Sequence, residues 1–132
     1  MPHKLLAAAA LMLGSVTALP ALAQDDLVAQ GETVFRKCQA CHQVGPDAKN
    51  RVGPELNALI GRTAGTAPDF KYSDAMVEAG AGGLVWNEET LSAFLEDPRG
   101  NLKGTKMAFA GLKDEGERAA VIAYIASAGG GV

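Results

Sequence analysis

The sequence predicts an all-α fold: a small single domain of about five short helices joined by long loops. Three observations carry this reading. Apolar residues recur at helical spacing in several segments, each preceded by a residue that can cap a helix. No segment shows the two-residue alternation of a half-buried strand. Glycine is abundant, 16 of 132 residues, and falls mostly between the periodic segments. A chain of 132 residues has room for one domain, rarely two. With 12 basic and 15 acidic side chains, its net charge of −3 argues against nucleic-acid binding as the main task. A charged fraction of 20% is ordinary and argues against a disordered tail. Two cysteines cannot build a disulfide scaffold.

The elements follow in chain order. Residues 1–23 read as a secretory leader: His3 and Lys4, an apolar run over 5–13, then the small-residue site Ala21-Leu22-Ala23. The run is too short for a spanning helix, which needs about 20 apolar residues. The expectation is export to the periplasm, cleavage after Ala23, and a mature domain over 24–132. A first helix is expected over 27–41, with Leu27, Gly31, Val34, Phe35 and Cys38 on one stripe and Asp25 or Asp26 as cap. A short helix is expected over 55–60, after Pro54. Ser73 can cap a helix over 74–79, and Asn87 one over 88–96 with acids in its first turn and Pro98 past its end. The last helix is expected over 115–128, with Asp114 and Glu117 as a capping box, Gly129 as the stop, and Val121, Ile122, Ile125 and Ala128 as its stripe. The loops 43–53, 61–72 and 98–113 are long for so small a domain. With one Trp, two Tyr and four Phe the core is thin, so these loops suit wrapping a large apolar group that is not protein.

Cys38-Gln39-Ala40-Cys41-His42 is the attachment signature of a c-type heme. Cysteines at i and i+3 share one helix face, so both sulfurs can form thioethers to one side of a porphyrin. The next residue, His42, then offers its imidazole to the iron. Three other readings compete. A redox Cys-x-x-Cys lacks the surrounding βαβ pattern. A disulfide suits an oxidising compartment. A structural zinc needs four ligands, and residues 24–132 hold only these two cysteines and this one histidine. Under the heme reading, no second histidine is present to supply the sixth ligand. Met76 lies on a candidate helix, where core packing explains it. Met107 lies in a loop that can cross the far face of a heme, so it is the expected ligand. His/Met ligation raises the reduction potential and leaves no open position on the iron.

Taken together, these residues resemble a class I cytochrome c of the soluble periplasmic bacterial type. The resemblance runs over nearly all of 24–132. It rests on Gly31 with Phe35, residues 38–42, Gly53-Pro54, Gly61-Arg62, residues 70–75, Trp86, residues 104–107 and Ala123-Tyr124. It implies that the Pro54 carbonyl accepts the proximal imidazole N–H, which orients the ring and raises its basicity. It also places Arg62, Tyr72, Ser73 and Trp86 around the heme propionates, and brings Gly31 and Phe35 against Val121 and Tyr124. The chain departs from the mitochondrial pattern at Phe94, where a tyrosine is common, at Met76, where an asparagine is common, and in the longer segment 79–83.

The charges are placed unevenly. Residues 99–113 carry Arg99, Lys103, Lys106 and Lys113 and no acid, while Arg36, Lys37, Lys49 and Arg51 flank the heme motif. Solvated surface explains most charge runs. Here Lys37, Arg51, Arg99, Lys106 and Lys113 are expected to ring the heme edge and dock acidic redox partners. The implied function is a monomeric one-electron carrier that binds no nucleic acid and does not insert stably in a membrane. A heme enzyme or sensor would need an open coordination site. A heme-free disulfide module is the remaining alternative.

Overall fold

The computed structural model describes residues 21–130; the expected leader, up to residue 20, lies outside them. Five helices follow in order: α1 (Ala21–Phe35), α2 (Asp74–Ala81), α3 (Glu88–Glu96), α4 (Pro98–Asn101) and α5 (Glu115–Ala128). Among the described residues the only β pairing is an isolated bridge between Thr63 and Val85. No described helix is long and apolar enough to cross a membrane.

The fold is built on the crossing of α1 and α5. Val34 and Phe35 of α1 meet the buried stripe Val121, Ile122 and Ile125 of α5. A Cβ on Gly31 would overlap the Ala120 carbonyl and lie 2.7 Å from Cβ of Tyr124. The missing side chain is what lets the two backbones approach. Phe35 and Tyr124 stack beside that point, with ring centroids 5.2 Å apart. Leu91, Phe94 and Leu95 of α3 close the core from the side. Three backbone bonds join segments 61–64 and 84–86, among them Trp86 N–H to the Arg62 carbonyl at 2.9 Å. They hold the middle loop to the front of α3.

Several elements differ from the sequence expectations. The α-helix of α1 ends at Phe35, not at Cys41, and residues 36–41 continue as tighter hydrogen-bonded turns. Lys37 and Cys38 donate to the carbonyls three residues back, the usual tightening at a helix end. Residues 55–60 form turns rather than a helix. Their polar groups are bonded elsewhere: Leu56 N–H to Gln43, Ala58 N–H to Gly129, and the carbonyls of Glu55 and Asn57 to the Arg62 guanidinium. Ala58 also takes a left-handed φ of 49°, incompatible with a helix. The extra helix is α4. Pro98 suits the stop expected after α3, but it is equally suited to the first position of a new helix, which Asp97 caps. At α5 Asp114 accepts from Glu117 N–H, half of the expected box.

Candidate functional site

The end of α1, the buried faces of α3 and α5 and the loops enclose a cavity of about 380 Å³. Its walls are mainly apolar: Leu56, Leu59, Leu91, Phe94, Val121 and Ile125 contribute. The helix-end turns bring Cys38, Cys41 and His42 to it, and the loop before α5 brings Met107. The two cysteines are not joined to each other by a disulfide.

His42 carries the most information. Its Nδ1 lies 2.8 Å from the Pro54 carbonyl oxygen. A carbonyl only accepts, so Nδ1 bears the proton and Nε2 keeps its lone pair. Burial holds the ring below its ordinary pKa of 6.5, against the opposing pull of that bond. The imidazole is thus neutral, oriented and ready to donate electrons. Gly53 makes the arrangement possible. A Cβ there would lie 2.7 Å from Nδ1 and 2.8 Å from Nε2, so the ring rests directly on backbone. Gly53 N–H also bonds the Cys41 carbonyl at 2.8 Å, fixing that loop to the cysteine turn.

Burial pushes the Cys38 thiol up to about 11, although the Lys37 ammonium works the other way. A redox-active Cys-x-x-Cys needs the reverse shift, so that reading loses its physical basis. Among the described residues no three His, Cys, Asp or Glu side chains cluster as a metal site.

Pro54, Arg62, Tyr72, Ser73 and Trp86 all line the same cavity. The Ser73 hydroxyl caps α2 by accepting from Met76 N–H at 3.1 Å, and the Tyr72 hydroxyl accepts from Ala67 N–H at 3.0 Å. Each keeps its own proton to donate. Burial raises the Tyr72 pKa above its ordinary 10.0, so that proton is held. Arg62 is already engaged: it pairs with Glu55 at 3.2 Å and donates to the Glu55 and Asn57 carbonyls. Glu55 was not singled out from sequence. Its spacing from Arg62 through an irregular loop leaves no periodic signal.

The basic residues divide. Lys37 and Lys106 line the cavity; Arg51, Arg99 and Lys113 do not. Lys37 pairs with Glu117 at 3.2 Å, Lys106 donates to the Lys71 carbonyl at 3.2 Å, and Lys113 to the Glu96 carbonyl at 2.7 Å.

The thiol pair, the oriented imidazole and the apolar cavity fit a covalently held heme. The family model described as cytochrome c matches residues 28–129. The chain belongs to the cytochrome c family. It is 56% identical over 100 residues to cytochrome c2 of Afifella marina, covering 76% of this chain and 81% of that one. It is 51% identical over 98 residues to cytochrome c2 of Agrobacterium tumefaciens (strain II Chrys), covering 74% and 88%. The structure of cytochrome c2 from Rhodospirillum centenum superposes with a TM-score of 0.73 at 47% identity, covering 76% of this chain and 97% of that one. The chain is accordingly an electron-transfer protein, not an enzyme, and carries one heme c bound through Cys38 and Cys41.

Proposed function

We propose that residues 24–132, freed of the leader after Ala23, shuttle single electrons in the periplasm, with His42 Nε2 and Met107 Sδ as the atoms that would hold the heme iron. The heme supplies a ferric/ferrous couple. The chain supplies everything that tunes and protects it. The Pro54 carbonyl fixes the proton on Nδ1 and makes Nε2 a better donor. The Met107 thioether is a soft, neutral ligand that favours the reduced state. The apolar walls would keep water from the bound group, so little would have to reorganise when its charge changes. Arg62, Tyr72, Ser73 and Trp86 line the cavity, which supports a role for them as donors to the propionates.

The observation that carries this reading is the His42 ring, neutral and tied through Nδ1, sharing one cavity with Met107 of the loop before α5; Met76 also lines that cavity, but α2 buries it in the core. The test is Met107→Ala. The variant should keep its covalent heme, lose the thioether-to-iron charge-transfer band, and bind cyanide quickly at neutral pH. An unchanged band would reject Met107 as the ligand.

Lys37 and Lys106 stand at the cavity and are the core of the proposed docking face, with Arg51, Arg99 and Lys113 as outer members. Val52, 77% exposed and also on the cavity, gives that face an apolar contact. Partners with acidic patches fit it, through the small, short-lived interfaces typical of electron transfer.

A further inference from the structure

Arg118 sits where a cation is costly. It is 8% exposed, and among the described residues no carboxylate forms an ion pair with it. It also lies in the first turn of α5, the end of a helix that disfavours positive charge. A buried cation persists only where its donors are well used.

Its donors hold together three parts of the chain. Nε donates to Ser92 Oγ of α3 at 2.9 Å. Nη1 donates to the Leu112 carbonyl at 2.9 Å and the Lys113 carbonyl at 3.1 Å. Leu112 and Lys113 form the C-terminal stem of the loop that bears Met107. The same stem is sealed to the end of α3 by Leu112 N–H on the Leu95 carbonyl at 2.7 Å. Gly111 lies so close to Glu96 that a Cβ would overlap its carbonyl oxygen.

Between the stems the backbone is untethered. Residues 106–111 make no backbone–backbone hydrogen bond among the described residues. Met107 N–H reaches only the nearby Thr105 hydroxyl, at 3.4 Å, and the exposed Lys106 ammonium reaches the Lys71 carbonyl. The place of the Met107 sulfur is therefore set largely by its stems.

We propose that Arg118 is a positioning residue for Met107: by clamping the 112–113 carbonyls to α3 and α5, it keeps the thioether in the cavity and off-state opening of the loop rare. The proposal rests on the reading of Met107 as an axial ligand.

Imidazole binding to the ferric holoprotein tests it, since imidazole reaches the iron only when Met107 leaves, and its apparent affinity scales with the fraction of open loop. Arg118→Lys keeps the charge but not the fork, and Arg118→Gln removes the charge. Both should bind imidazole roughly tenfold more tightly than the parent while retaining covalent heme and helix content. Val34→Ala, which weakens the α1–α5 core away from the cavity, is the control and should leave imidazole affinity within about twofold. Affinity unchanged in both Arg118 variants overturns the proposal, as does an equal gain in Val34→Ala. If neither Arg118 variant accumulates, Ser92→Ala is judged by the same criterion. A parent protein without the thioether-to-iron band would instead sink the ligand reading, and this proposal with it.

Discussion

At the scale of single residues, the site turns on what lies against the His42 ring. Gly53→Ala forces a methyl into that ring, at 2.7 Å from Nδ1. Either the ring or the loop must move, at a cost of about 1–3 kcal/mol. The expected outcome is a clear fall in the ratio of heme to protein absorbance in purified material; a parental ratio and parental spectrum would refute the contact. The protonation of His42 also sets a pH dependence. Its folded-state pKa is lowered, so the unfolded chain binds the proton more readily. The contribution of His42 to stability is intact above 6.5 and declines as pH falls below it; iron on Nε2 acts with the same sign. The urea midpoint of the ferric holoprotein should fall as pH drops below 6.5. A midpoint unchanged between pH 7 and pH 4 would contradict this. Cys38, Cys41 and His42 were legible in the sequence because covalent attachment demands a fixed local spacing. Glu55 was not, because an irregular loop brings it to Arg62, nor was Arg118, whose partners include Ser92 of α3.

At the scale of elements, the helices with capping residues were the readable ones. Ser73, Asn87 and Asp114 each accept the N–H of the residue three positions on. Those caps satisfy orphan donors locally, so sequence fixes where α2, α3 and α5 start. Asn87 is the fullest case, since Thr90 returns a bond to the Asn87 backbone. Asn87→Ala should cost about 1 kcal/mol in a urea titration, with heme ligation unchanged. Residues 55–60 have apolar spacing that suits a helix, but the nearby Arg62 guanidinium and the remote Gly129 carbonyl claim their polar groups. The α1–α5 crossing offers a sharper test. Gly31→Val pushes branched carbons into the Ala120 carbonyl, which cannot yield without moving α5. Folded holoprotein should fail to accumulate, and a normal yield with a parental thermal midpoint would show that the helices do not meet there.

At the scale of the whole molecule, an acidic chain presents basic side chains at its cavity. Net charge opposes attraction to acidic partners, so steering depends on where the lysines stand. Lys37 is half-neutralised by Glu117, an exposed pair worth little to stability. Glu117→Gln releases that charge without touching the cavity. Electron transfer to an acidic partner protein should quicken several-fold at low ionic strength and converge with the parent at high salt. A rate that is equal at all salt concentrations would remove Lys37 from the docking face.

Sequence by itself determined the chemistry that depends on neighbours along the chain: the Cys-x-x-Cys-His attachment, the caps of α2, α3 and α5, and the helical class. The Pro54 carbonyl on His42 was expected from the family resemblance, and the fold forms it; only the folded chain shows which carboxylate meets Arg62, which carbonyls Arg118 holds, and which lysines stand at the cavity. The physical reason is range. Caps and motif spacings close within about one helical turn and leave a periodic trace. Hydrogen bonds that join loops to distant helices close only after the core has formed, and nothing in the local pattern records their partners.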